Sequence, residues 1–165
     1  MTLPASRLCN AAGVAGAIVS LAIAYFYMER HLGLEACPLC LIDRGIVALI
    51  GITFLLALIF NPQRLGQRIF AVIALLFSGF GIAVCWRHLW LQGLPKDQLP
   101  ECTPGLEYML ETFPLGETIR TIFTSAGECA EIQWTFLGLS IPAQTMLLFI
   151  GFAVLSLLQI LRKQD

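Results

Sequence analysis

From Leu8 to Met28 the chain carries no charged residue, and a helix needs about 20 mostly apolar residues to cross the hydrocarbon core of a bilayer. Lipid offers no hydrogen bonds, so such a stretch must satisfy its own backbone, which a helix does. Ile69 to Trp86 and Ala143 to Leu161 qualify nearly as well. The remaining run, Gly45 to Phe60, makes only about 24 Å of helix against a core of about 30 Å. Extending it back to Leu39 completes a span, which puts Arg44 just inside the apolar boundary and Cys40 at its rim. Four spans are therefore expected, at about 8–28, 39–60, 69–88 and 143–161, joined by outer loops 29–38 and 89–142. Composition agrees: 58% of the 165 residues are hydrophobic and 13% charged, where soluble domains run near 45–50% and 25%. A net charge of −1 argues against nucleic-acid binding by bulk electrostatics. The chain reads as one all-α domain over residues 1–165, an integral membrane four-helix bundle. Ala22-Ile23-Ala24 has the small residues of a signal-peptide cleavage site. Only Arg7 marks a positive start, however, and the apolar run continues past the site, so the first helix is expected to be retained.

Basic residues set the expected orientation. With both termini inside, the inner segments hold Arg7, Arg64, Arg68, Arg162 and Lys163, and the outer side holds Arg30, Arg44, Arg87, Lys96 and Arg120. The counts tie, but the inner segments are far shorter, so basic density favours cytoplasmic termini. Asn61-Pro62 ends the second helix, and 61–68 reads as a tight inner loop. Cys37, Cys40, Cys102 and Cys129 then lie outside, where disulfides persist in bacteria. Cys9 and Cys85 fall within the spans and read as packing. In the long outer loop Leu115, Ile119, Ile122 and Phe123 recur at helical spacing. That stripe predicts a short amphipathic interfacial helix, lying either on the membrane surface or on the bundle top. Pro95, Pro100, Pro104 and Gly105 surround Cys102 and imply an irregular, accessible segment, the setting in which a disulfide exchanges.

Cys37-Pro38-Leu39-Cys40 opens the second span. A helix starting there points backbone N–H groups at the sulfurs, and its positive end favours a thiolate. Pro38 suits the first helical position, where its missing N–H has no partner to lose. Arg44 follows one turn after Cys40 on the same face, so its cation would stabilise a thiolate or another developing anion. Ionisable residues inside a membrane cost about 2.5–3.5 kcal/mol on insertion scales, and function is their default explanation. Blander readings stand beside these. The paired thiols could be an inert clip, Cys102 with Cys129 a structural staple, and Arg44 a partner of Asp43 or a snorkelling side chain. His88 could belong to an interfacial belt or to a cofactor site. A closed zinc site wants four ligands, and no second Cys-x-x-Cys or His pair appears.

Together these features resemble the bacterial DsbB disulfide-forming proteins. The likeness rests on four spans, Cys37-Pro38-Leu39-Cys40 before the second, Arg44 four residues on, and Cys102 with Cys129. The run Glu128-Cys129-Ala130-Glu131-Ile132-Gln133-Trp134-Thr135-Phe136-Leu137-Gly138-Leu139 is also similar to that family's segment before its last helix. The resemblance covers essentially the whole chain. It implies a bacterial inner-membrane thiol oxidase that reduces ubiquinone or menaquinone, with no metal or flavin. Its partner would be a soluble periplasmic thioredoxin-like oxidase of the DsbA type. Cys102 would form the mixed disulfide with that partner, Cys129 would exchange with Cys37, and Cys40 would face the quinone. Arg44 would help hold the quinone, and His88 matches a position near it. Two other classes share part of this pattern. A vitamin K epoxide reductase-like oxidase places its Cys-x-x-Cys in a late helix, after the loop pair, whereas here it comes first. A tetraspan metal-ion carrier or binding protein would use the thiols as soft ligands.

Overall fold

A computed structural model describes residues 6–34, 36–95, 112–114, 116–117, 127–130 and 132–162. Helix α1 (Ser6–Ala22) continues in π-helical geometry over Ile23–His31, and is followed by α2 (Pro38–Phe60), α3 (Arg64–Gln92) and α4 (Ile141–Leu161). These make four helices long and apolar enough to cross a membrane. Together they form an all-α bundle in which α3 packs closely on α4 and α2 packs on both α1 and α3, whereas α1 and α4 barely touch. A 3₁₀ turn (Gly127–Ala130) and a two-stranded hairpin, β1 (Thr135–Phe136) with β2 (Leu139–Ser140), precede α4.

Local chemistry sets the helix ends. Gly33, at φ +65°, turns the chain after the π segment, a conformation that glycine adopts without a steric cost. Cys37 is the extended N-cap of α2 and Pro38 its first residue. Asn61 ends α2 at φ 38°, its N–H bonding the Ala57 carbonyl at 3.1 Å, and Pro62 cannot continue the helix. The connection that sequence reading extended over 61–68 is only 61–63, because α3 already begins at Arg64. Arg64 and Arg68 ride its first turns while Gln67, on the inward face, is buried. The third and first helices likewise outrun their expected ends, at Gln92 and, through the π segment, His31.

Buried Ile50, Phe54, Ala74, Phe149 and Phe152 fill the centre. Helices in lipid associate through close packing rather than hydrophobic expulsion. Gly81 shows why: a Cβ there would meet the Phe149 ring at 2.5 Å. At one end Asn10, Gln67 and Gln159 form a buried network linking α1, α3 and α4. Asn10 Nδ2 donates to Gln67 Oε1 at 3.2 Å, and Gln159 Nε2 donates to Asn10 Oδ1 at 2.8 Å. The other end gathers the thiols. The stripe predicted as an amphipathic helix, Leu115 with Ile119 to Phe123, lies outside the described residues.

Candidate active site at the thiol end of the bundle

The first turn of α2 brings the Cys-x-x-Cys sulfurs together. Cys37 Sγ lies 2.7 Å from Cys40 Sγ and accepts a hydrogen bond from the Cys40 backbone N–H at 3.3 Å. The 3₁₀ turn before the hairpin delivers Cys129, which is buried. Cys129 Sγ, Cys37 Sγ and a ring nitrogen of His88 all lie within 4.8 Å of one another. His88 comes from α3, is 2% exposed, and sets Nε2 3.9 Å from Cys37 Sγ. Its Nδ1 is buried without a hydrogen-bond partner among the described residues. The folded chain thus lines up Cys40, Cys37 and Cys129 in contact sequence, with an imidazole beside the middle sulfur.

The Cys129 thiol, then the Cys40 thiol, then burial raise the Cys37 thiol well above its ordinary value. The helix end alone suggested a stabilised thiolate at this motif. The N–H···S bond from Cys40 is present, but two neighbouring thiols and the loss of solvent outweigh it at Cys37.

Arg44 does not pair with Asp43. Its Nη1 donates to Glu29 Oε1, on the π segment, and its Nη2 donates to the Ala24 carbonyl at 3.4 Å. π-Helical turns are rare and recur at functional sites; here one carries both partners of the guanidinium. Asp43 turns inward, 5% exposed, with Oδ2 accepting from the Cys85 thiol at 3.6 Å. Cys85, read from sequence as packing, is fully buried but also makes this polar contact. Cys9 is buried near the opposite end of α1. Cys102 lies outside the described residues.

A cavity of about 240 Å³ opens beside Cys40, lined by the α1 and π segments, α2 and α4. Most of its lining is apolar, including Leu21, Val47 and Leu148, and Cys40, Asp43, Arg44 and His88 supply polar groups. It sits at the loosely packed α1–α4 seam. Asp43 Oδ1 is buried without a hydrogen-bond partner among the described residues. An apolar slot with a cation, an imidazole and an unmet carboxyl oxygen fits a flat ring bearing carbonyl oxygens. Cys37, Cys129 and His88 also offer soft ligand atoms.

Sequence reading placed Cys37, Cys40, Cys129, Arg44 and His88 near a common function, and the fold brings those five together. Glu29 has no place in that reading. A pairing across fifteen residues between consecutive helices has no local sequence signature.

Comparison with known proteins gives one result throughout. Residues 6–159 match the profile of a family described as disulfide bond formation protein DsbB. A Disulfide bond formation protein B of Stutzerimonas stutzeri is 44% identical over 163 residues, covering 99% of each chain. The protein of the same name from Methylococcus capsulatus is 42% identical over 159 residues, 96% of each. That from Hahella chejuensis is 50% identical over 127 residues, 77% of each.

Proposed function

The chain belongs to the DsbB family of disulfide bond formation proteins, and on that premise we propose that it is an inner-membrane thiol:quinone oxidoreductase. It would reoxidise a soluble DsbA-like dithiol protein and pass the electrons to ubiquinone or menaquinone. Membership makes it a multi-pass membrane protein of thiol-oxidising chemistry; the donor, the acceptor and the orientation with cytoplasmic termini are parts of the proposal. One observation carries it: Cys129, Cys37 and Cys40 stand in contact order and the last of them lines the large apolar cavity.

Thiol exchange proceeds by thiolate attack on a disulfide sulfur. The partner's reactive thiolate would attack Cys102 of a Cys102–Cys129 disulfide, giving a mixed disulfide and releasing Cys129. Cys129 would then attack Cys37 of a Cys37–Cys40 disulfide, and Cys40 would leave as the thiolate. The partner's second thiol would resolve the mixed disulfide and release Cys102, which would take Cys129 back from Cys37, leaving an oxidised partner, a Cys37 thiol and the Cys40 thiolate. The helix N-terminus and Arg44 would stabilise that charge. Arg44 and His88 would orient the ring in the cavity, and the apolar lining would exclude water. A bound quinone supplies a lipid-soluble acceptor for two electrons and two protons. Exchange at the middle sulfur needs no large movement, because Cys129 already lies within 4.8 Å of it.

The test is anaerobic quinone reduction by the purified protein, supplied with a reduced thioredoxin-like donor. The unsubstituted protein should reduce the quinone, Cys40→Ser should not, and a reduced donor lacking its second cysteine should be trapped as a mixed disulfide through Cys102. Normal donor oxidation by Cys40→Ser, with quinone as the sole acceptor, would refute the proposal.

A further inference from the structure

Asp43 follows Cys40 by three residues, which sets both on one face of α2, and both line the large cavity. The relay of sulfurs gives it no task. Its neighbour Arg44 is engaged with Glu29 and the Ala24 carbonyl. Its Oδ2 is held by the Cys85 thiol at 3.6 Å, and its Oδ1 is buried with no partner among the described residues. An unmet polar atom in a bilayer-spanning helix is costly. A buried carboxyl avoids the larger cost of a bare charge by keeping its proton. Because the Cys85 S–H donates to Oδ2, that oxygen is the acceptor and the carboxyl proton belongs on Oδ1. The result is a proton donor on the cavity wall, next to the sulfur that meets the acceptor.

We propose that Asp43 is the proton carrier of the quinone step, an inference that rests on the function proposed above. In that step the Cys37 S–H bond breaks and its sulfur joins the Cys40 thiolate as the Cys37–Cys40 disulfide. Two electrons and two protons pass to the quinone, whose two carbonyl oxygens become hydroxyls. Asp43 gives its Oδ1 proton to the nearer oxygen and regains one in place of the proton that the partner's thiols shed during exchange, so it ends the cycle unchanged. The second proton comes from Cys37 by way of His88, whose Nε2 is 3.9 Å from that sulfur. Cys85 is a positioning residue: it holds Oδ2 so that the proton stays on the free oxygen.

The experiment uses full-length protein in detergent with a short-chain ubiquinone analogue. Quinone affinity is measured first, by quenching of tryptophan fluorescence, and then single-turnover oxidation of the prereduced thiols. Infrared difference spectra of the unsubstituted protein with and without quinone provide a readout independent of turnover. Asp43→Asn should bind quinone within about threefold of the unsubstituted protein yet transfer electrons on the order of 10²-fold more slowly, the usual effect of removing a general acid. Asp43→Glu should restore most of the rate. A protonated-carboxyl band should shift on quinone binding in the unsubstituted protein and in Cys85→Ala at a different frequency, and vanish in Asp43→Asn. Unimpaired transfer by Asp43→Asn, or no carboxyl band that depends on residue 43, would overturn the inference alone. Failure of the unsubstituted protein to bind quinone would overturn the functional proposal and this inference with it. If Asp43→Asn does not fold, the infrared comparison of Cys85→Ala with the unsubstituted protein still decides it.

Discussion

Arg44 bonds Glu29, on the preceding helical segment, and leaves its sequence neighbour Asp43 to Cys85. The two side chains of this ion pair are about a quarter exposed, 24% and 27%. The pair therefore sits between the weak surface limit and the strongly coupled buried one. Its partners on the π segment fix the guanidinium at the cavity wall.

Replacing Glu29 should therefore disturb the cavity without touching a sulfur. Glu29→Gln is expected to weaken quinone binding about fivefold, the equivalent of about 1 kcal/mol. Alkylation rates of Cys37 and Cys40 should stay as they were. Quinone titration alongside timed thiol labelling checks both halves.

The raised Cys37 thiol makes a pH prediction for the reduced protein. A thiol held protonated is a poor nucleophile near neutrality, since the thiolate reacts. Its alkylation by iodoacetamide should climb about tenfold per pH unit through the alkaline range, past the point where a free cysteine levels off near about 8.5. The linked stability has the matching sign. The folded state holds this proton more tightly than the unfolded chain, so the contribution is complete below the unfolded pKa and falls as pH rises above it. Cys129→Ala, which removes the first of the causes, should shift the labelling profile toward lower pH.

At the opposite end, Asn10 ties Gln67 to Gln159. Asn10→Leu would leave both amides short of a partner inside the bundle. Interhelical hydrogen bonds in membranes are worth roughly 0.6 kcal/mol each, up to about 1.7. A loss of about 1–2 kcal/mol should appear as a lower denaturation midpoint, while quinone reduction per folded molecule stays unchanged. A rise in the midpoint would show that the network is a burden rather than a clamp.

Gly81 faces the Phe149 ring so closely that no side chain fits without displacement. Gly81→Ala should separate α3 from α4 and cost about 1–3 kcal/mol, as overpacking does. Phe149→Leu in the same molecule should recover part of the loss, and thermal unfolding of the single and double variants measures it.

Much of the architecture was legible because lipid narrows the choices. Uncharged runs of sufficient length had to be helices, and Pro38 and Asn61 marked the limits of α2 by rules that act over one or two residues. The ends that failed were those set by tertiary packing. Arg64 and Arg68 looked like loop charges, yet Gln67 between them points into the bundle and carries the helix back to Arg64. The thiols could be singled out because paired cysteines have few roles, but spacing could not show that Cys129 rests on Cys37. The partners of Asp43 and Arg44 were hidden for the same reason. Which carboxylate an arginine selects depends on the turn of a neighbouring helix, and the π geometry of 23–31 leaves no pattern in residue types.

The slack seam between α1 and α4 gives the cavity a flank between two spanning helices. On the proposed function a water-borne protein would call at Cys102, while a hydrophobic carrier would slip in sideways between those helices. Neither visitor would have to leave for the other to arrive, so the traffic of the two need never fall into step.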